Sequence, residues 1–496
     1  MKKYNQRGAQ RTLFASSLLS VALYLLCGCS PTSSTSVSPA QIDRAENAGN
    51  FTEASRLIDA CIAGNQLSGE QIYELSWRKE KMRRIRMDFD RDKAEVLEYI
   101  RKYYPEAGNK QLAQWEAAKS LECMMIDGEK RYFHNSASNL FLIDSAAAAC
   151  KRAADQPPAN RKETTLEKHL PKVVASLRAN GQTQAAPVSM TVTYSVTLKP
   201  DAVPDGEVVR CWLPYARDDC RRQTDIRLLS VSDDRYILSP PSYAHRTIYM
   251  EKTARKGEPL TFSLAFSYRS APEWFHLDAQ ELQPYDTGSE LYRAYTAERP
   301  PHIVFSNSIR ELSQRIIGDE TQLYEKIKRL IVYIDKTYPW ASSRDYSTID
   351  SIPEYVMTQG HGDCGLVTLL FVTLARYNGI PARWQSGFMM HPNSTNMHDW
   401  SEYYIEGLGW IPMDESFGVN HFATDDDVRY FYTNGTDAYR WVVNSDYSLP
   451  LYPAKIFPRS DIMDFQRGEL EWKGGNLYYD QWDWDFDVSY LENVDE

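Results

Sequence analysis

The spacing of hydrophobic positions along this chain changes twice. From residue 40 to about 180 it is helical. In AENAGNFTEASRLIDACIAG the chain turns at Gly49-Asn50 and then sets Phe51, Ala54, Leu57 and Ile58 on one face. Further amphipathic runs cover 69–87, 92–104 and 110–127. From 187 to about 275 the period drops to two: SMTVTYSVTL, GEVVRCWLPY, IRLLSVSD, RTIYMEK and LTFSLAFSYRS alternate apolar with polar, separated by Pro-Asp-Gly, Asp-Asp and Lys-Gly-Glu turns. That pattern predicts an antiparallel β-sandwich. Helical spacing then returns at 308–317 and 321–338, the second run carrying Leu323, Ile327, Leu330, Ile331, Tyr333 and Ile334 and stopping at Tyr338-Pro339.

The stretch from His361 to Ser416 carries the candidate chemistry. Asp363 is placed to cap a helix opened by Cys364, whose apolar run through Leu374 is too long for a strand; Asn378-Gly379 and Pro381 end it. A thiol in a first helical turn meets unpaired N–H groups and the helix dipole, which favour thiolate. Strands are predicted at 382–390, 398–406 and 410–414, with a polar loop at 391–397 and a tight turn at Gly407-Leu408-Gly409. His398 begins one strand and Asp414 ends the next, so antiparallel pairing sets them side by side. Nucleophile, base and orienter thus follow in chain order: Cys364, His398, Asp414. The structural alternative is a small core cysteine and a packed histidine. A zinc site from His361, Asp363, Cys364 and His398 lacks the second Cys or His pair of a structural zinc module.

This arrangement resembles the transglutaminase-like superfamily of papain-related cysteine enzymes: GDC opening a helix, GIPAR at 379–383, Gly387, HDW with Glu402, and GLGW followed by Asp414. The match covers about residues 320–420. The resemblance implies that Cys364 is the nucleophile, His398 the general base and Asp414 the third member of a triad. Animal transglutaminases place Gln immediately before the cysteine, where this chain has Asp363; the candidate oxyanion donors are the Cys364 backbone N–H and the Gln359 side chain. The WLP segment at 212–214 is similar to one in the β-domain of extracytoplasmic members. No cofactor is implied, and there is no EF-hand-like loop for calcium.

Composition narrows the class further. The 496 residues allow several domains, and 43% hydrophobic with 25% charged is globular usage. A formal charge of −11 argues against a nucleic-acid partner. Residues 1–28 read as a lipoprotein signal peptide: a basic start with Lys2, Lys3, Arg7 and Arg11, an apolar run from Leu13 to Leu26, and Leu26-Cys27-Gly28-Cys29 as a lipobox that makes Cys29 the lipidated N-terminus. The expected location is the bacterial cell envelope, lipid-anchored, at the outer membrane facing the periplasm or the exterior. Of the remaining cysteines, Cys211 and Cys220 flank one predicted turn and are close enough in sequence to pair.

The expectation is therefore a multidomain chain: tether 29–42, helical domain 43–183, β-sandwich 184–275, an α+β transglutaminase-like core 276–460, and a C-terminal aromatic and acidic β-hairpin at 461–496. The helical part is similar at residues 40–64 to half of a tetratricopeptide unit but shows no fixed repeat, so it is expected as a packed spacer, with peptide docking the alternative. In the tail Trp482, Trp484 and Phe486 alternate with acids, a pattern for an edge strand, or for a ladder that stacks a sugar or peptide. The expected chemistry is thiol-dependent hydrolysis of a peptide or protein amide. Protein-glutamine cross-linking is the alternative, and an inactive peptide- or glycan-binding lipoprotein is a third reading.

Overall fold

The structure, a computed structural model, describes residues 37–64, 66–155, 164–277, 282–392 and 394–491. The signal peptide and Cys29 lie outside the described residues. The architecture is multidomain, with N-terminal helices, a β-sandwich and an α+β core.

The N-terminal region contains the helices Pro39–Asn47, Phe51–Gly64, Gly69–Asp88, Lys93–Arg101, Asn109–Ala117, Ser136–Ile143 and Ser145–Asp155. Ser68 with Gln71, and Asp92 with Glu95, form capping boxes that fix two of the starts. Phe51, Ala54, Leu57 and Ile58 are buried together against Met82 and Ile85, as their spacing requires. The run at 110–127 is not one helix. It stops at Ala117, and Cys123–Ile126 pairs with Glu129–Tyr132 across Asp127-Gly128. Both turn residues have positive φ, at 49° and 83°, the two-residue Asp-Gly turn that suits a twisted hairpin. The helix Thr165–Asn180 leaves this group and packs on Trp274, Phe431 and Tyr432.

The sandwich is built from two antiparallel sheets, and the tail belongs to both. One sheet runs in the order Gly475–Leu477, Glu469–Trp472, Val208–Pro214, Thr247–Thr253, Ile237–Leu238; the other runs Trp482–Tyr490, Val188–Leu198, Leu260–Ser270, Gln223–Val231. The C-terminal segment is thus no separate hairpin. Trp482 lies opposite Leu198 and Tyr490 opposite Met190, while Glu469 lies opposite Trp212. The alternation that suggested a ligand ladder is an edge strand turning Trp484 and Phe486 onto Tyr194, with Asp483, Asp485 and Asp487 facing solvent. Cys211 and Cys220 are free, and Cys211 is buried inside the sandwich.

The core has a four-stranded antiparallel sheet in the order Gly409–Met413, Ser394–Ile405, Ala382–His391, Arg440–Asn444. The segment expected as a loop at 391–397 is mostly ladder, with Asn396 opposite Met389 and Met397 opposite Phe388; backbone pairing ignores how polar the side chains are. The helix Cys364–Tyr377 packs on this sheet, covered also by Asn307–Ile317, Leu323–Thr337 and Ile352–Gln359. Further along, Phe388, Met390, Trp441 and Val443 enter the core of the sandwich, so the two units share one interior.

Arg84 ties the N-terminal helices to this body. Its guanidinium is fully buried, donates to Ser347 Oγ at 2.9 Å, to the Ser460 carbonyl at 2.7 Å and to the Arg459 carbonyl at 3.0 Å, and lies 4.3 Å over the Tyr478 ring. Replacing it by alanine leaves the Ser460 and Arg459 carbonyls without this donor, while Glu80 keeps Arg83. Arg84→Ala is expected to cost about 3 kcal/mol, read as a lowered denaturant midpoint; an unchanged midpoint would show that the helices are not held this way.

Candidate active site

The site is built on the first turn of the helix Cys364–Tyr377. Asp363 caps it as expected: its Oδ1 accepts the Leu366 N–H at 3.2 Å and the Tyr346 hydroxyl at 2.6 Å, and its Oδ2 accepts the Ser343 hydroxyl at 2.7 Å. Cys364 follows at the first helical position, partly exposed on a cavity of about 470 Å³. Gly365 is required where it stands. A Cβ there would lie 2.8 Å from Asp399 Oδ2 and collide with the Tyr346 hydroxyl, so no side chain fits between the helix and these two groups.

The structure brings His398 and Asp414 together. Pairing of Ser401 with Met413 sets the register, and His398 Nε2 lies 2.7 Å from Asp414 Oδ2. The same oxygen is 2.9 Å from Arg440 Nη1, and Asp414 Oδ1 accepts the N–H groups of Ser416 and Phe417 at 3.2 and 3.0 Å. The imidazole is stacked on Trp400 and meets the Phe417 ring edge-on. Burial would raise the Asp414 carboxyl, but His398 and Arg440 outweigh it and hold Asp414 below the usual range. At His398 burial wins: with help from Arg440 it lowers the imidazole below its ordinary value against the pull of Asp414. A neutral imidazole held by a carboxylate is the form that accepts a proton.

The thiol has a different partner. Cys364 Sγ donates to Asp399 Oδ2 at 3.3 Å, and among the described residues no hydrogen bond joins it to the imidazole. His398 and Asp399 are successive strand residues and point to opposite sides. Asp399 and Ser401 face the helix, where Ser401 and Thr368 share Glu415. The Asp399 backbone N–H also favours the thiolate, so the sulfur sits at the His398–Asp399 peptide. The expected lowering of the thiol by the helix start does not prevail. Burial, then the Asp399 and Asp363 carboxyls, push Cys364 well above its ordinary value. Asp399 is itself pushed well up by burial and by Asp464. Gln359, the other oxyanion candidate, ends the helix Ile352–Gln359 outside the lining of the cavity, its Oε1 buried without a partner.

The walls of the cavity come from distant segments. Met87 and Asp88, at the end of Gly69–Asp88, and His134 and Asn135, in the turn before Ser136–Ile143, line it together with Gln466, Arg467, Tyr478 and Tyr479. The helical region thus lines this cavity as well as packing on the body. Carboxyls dominate, with Asp88, Asp345, Asp363, Asp399, Asp461 and Asp464 against Arg344 and Arg467. Burial and then the neighbouring carboxyl raise Asp88 and Asp461 each to about 7. Of the groups that sequence reasoning missed, Asp399 was visible inside the HDW triplet and Arg440 had no signal.

Residues 310–415 match the family model of the transglutaminase-like superfamily. This stretch is a transglutaminase-like core. Over 143 residues the chain is 28% identical to an uncharacterized protein of Haemophilus influenzae, a match spanning 23% of this chain and 38% of that protein. Over 142 residues it is 22% identical to the uncharacterized protein YebA of Bacillus subtilis, spanning 24% of this chain and 19% of YebA. Among solved structures, a candidate cysteine protease from Cytophaga hutchinsonii superposes with a TM-score of 0.41 at 15% identity, covering 62% of this chain and 93% of that one. The periplasmic domain of TgpA from Pseudomonas aeruginosa gives a TM-score of 0.27 at 12% identity, covering 48% and 93%.

In the transglutaminase-like core the charge on Asp414 is what opposes burial at His398. Asp414→Asn removes it and leaves Arg440, so the imidazole should titrate lower still, by about one pH unit or more. The His398 ring proton shift followed against pH reads this directly, and an unmoved or raised midpoint would contradict the account.

Proposed function

We propose that the protein is a thiol-dependent enzyme of the bacterial cell envelope, lipid-anchored through Cys29, that cleaves a peptide or protein amide through a thioester on Cys364. The observation that carries this reading is the thiol at a helix start, open to a cavity of about 470 Å³, against the strand on which His398 is held at 2.7 Å by a buried carboxylate. In this scheme the imidazole of His398 must turn to the sulfur from the other face of the strand; it then takes the Sγ proton, and the sulfur attacks the carbonyl carbon as the C=O electrons move to oxygen. Collapse breaks the C–N bond, and the amine leaves with the proton returned by the imidazole. Water then attacks the thioester, losing its proton to His398, and the sulfur departs. The Cys364 N–H, at a helix start with no acceptor four residues back, is the oxyanion donor in this scheme. An amine in place of water makes the reaction a cross-link, and the residues are the same for both.

One observation favours a second reading, a peptide- or glycan-binding lipoprotein without turnover: burial and two carboxyls hold the thiol in its un-ionised form. Turnover separates the readings. The soluble form lacking residues 1–29 is incubated with a panel of peptides and simple amides, with and without a fluorescent primary amine, and intact mass is followed. Release of amine with an acyl adduct on Cys364 is expected, absent in Cys364→Ala and slowed at least about a hundredfold in His398→Ala. Incorporation of the fluorescent amine would make the protein a transglutaminase; no release and no adduct would leave the binding role.

A further inference from the structure

The group that touches the sulfur is Asp399, and it is placed as a proton holder. Its Oδ2 accepts the Cys364 thiol at 3.3 Å, with the Tyr346 hydroxyl at 3.5 Å. Its Oδ1 accepts from Gln466 Nε2 at 2.9 Å, and that amide also donates to the His398 carbonyl at 3.0 Å. The residue is 4% exposed, and no arginine or lysine pairs with it among the described residues. The titratable groups facing it are Cys364 and Asp363 from the helix start, Tyr346 from the preceding turn, and Asp464 from the C-terminal segment, with Asp345, Asp461 and Arg467 around the cavity. The donors to Asp464, which are Ser386 Oγ at 2.6 Å, Asn444 Nδ2 at 2.8 Å and the Phe465 N–H at 2.6 Å, all reach its Oδ1. Asp464 also shares a side-chain hydrogen bond with Asp399, which favours a proton on Asp399. Two buried carboxyls in contact cannot both ionise easily.

We propose that Asp399 is a further catalytic residue, whose carboxyl shares a proton with Cys364 and decides by its own state whether the sulfur persists as thiolate. The proposal rests on the reading of Cys364 as nucleophile. As a carboxylate, Asp399 accepts the S–H bond and repels a sulfur anion. As an acid it donates its O–H to the anion and stabilises it. When His398 takes the Sγ proton, the proton held between Asp399 and Asp464 turns toward the sulfur, and none is gained or lost beyond the one passed to the imidazole. Burial, followed by the charge of Asp464, keeps Asp399 protonated well above the usual carboxylate range.

The test is the pH dependence of iodoacetamide labelling at Cys364, mapped by peptide, in the full chain purified in detergent. Asp399→Asn, which has no acid proton to give the sulfur, should label at least about tenfold more slowly at neutral pH. Asp464→Asn should raise the thiol midpoint, because Asp399 then ionises at lower pH and repels the sulfur anion. An Asp399→Asn profile that coincides with wild type or labels faster, or an Asp464→Asn midpoint that stays or falls, overturns the proposal. Should Asp399→Asn not fold, the Asp464→Asn midpoint decides alone. His398→Ala tells this failure from failure of the triad. Slow labelling there with no effect of Asp399→Asn leaves the triad and removes Asp399; the converse keeps Asp399 and removes the imidazole.

Discussion

A helix that is apolar on every side has to be covered on every side. In Cys364–Tyr377, Leu366, Leu369, Leu370, Phe371, Val372, Leu374 and Ala375 are all fully buried, and burying each large side chain is worth about 2 kcal/mol. The central sheet supplies one cover and three helices supply the rest. The start of this helix is the part left open, and the chain puts a cysteine there. The position of the sulfur is thus a by-product of hydrophobic burial, fixed by the same contacts that hold the core together.

Around that apolar centre lies a buried chain of charge. Asp437 accepts from Arg440 and meets His391 Nε2 at 3.1 Å, Arg440 reaches Asp414, and Asp414 holds His398. Removing charges from water costs several kcal/mol per ion unless they are paired and hydrogen-bonded. Here each group has its counterpart, and Arg440 is also sandwiched near the rings of Trp400 and Phe417. The arrangement fixes the imidazole in one orientation, with Nε2 committed to Asp414.

Much of this was legible in the sequence. Asp363, Cys364, Asn378 and Gly379 announced a capped helix by residue type, and the spacing of His398 and Asp414 around a short turn fixed their meeting. Period two gave the sandwich strands. The neighbours of those strands were another matter: Trp482–Tyr490 carries its alternation openly, but nothing local says that its partner is Val188–Leu198 far up the chain. The Asp127-Gly128 turn was hidden inside a run of helical composition. Asp399 was read as part of a triplet with His398, and only the placement of the helix shows which side of the strand meets the sulfur. Arg440 sits in a segment without periodicity, where a buried charge gives no pattern.

The last strands have a temporal consequence. Glu469–Trp472 and Trp482–Tyr490 complete the two sheets of the sandwich, and Tyr478 and Tyr479 between them form a wall beside Cys364. A chain still lacking these residues has open sheet edges, which invite pairing with the wrong strand, and a sulfur with no enclosed cleft. Part of the enclosure, Met87 to Asn135, precedes the cysteine in the chain, and part, Asp461 to Tyr479, follows it. The cleft is complete only when strands from the far end of the chain have joined sheets begun far upstream, at Val188–Leu198 and Val208–Pro214.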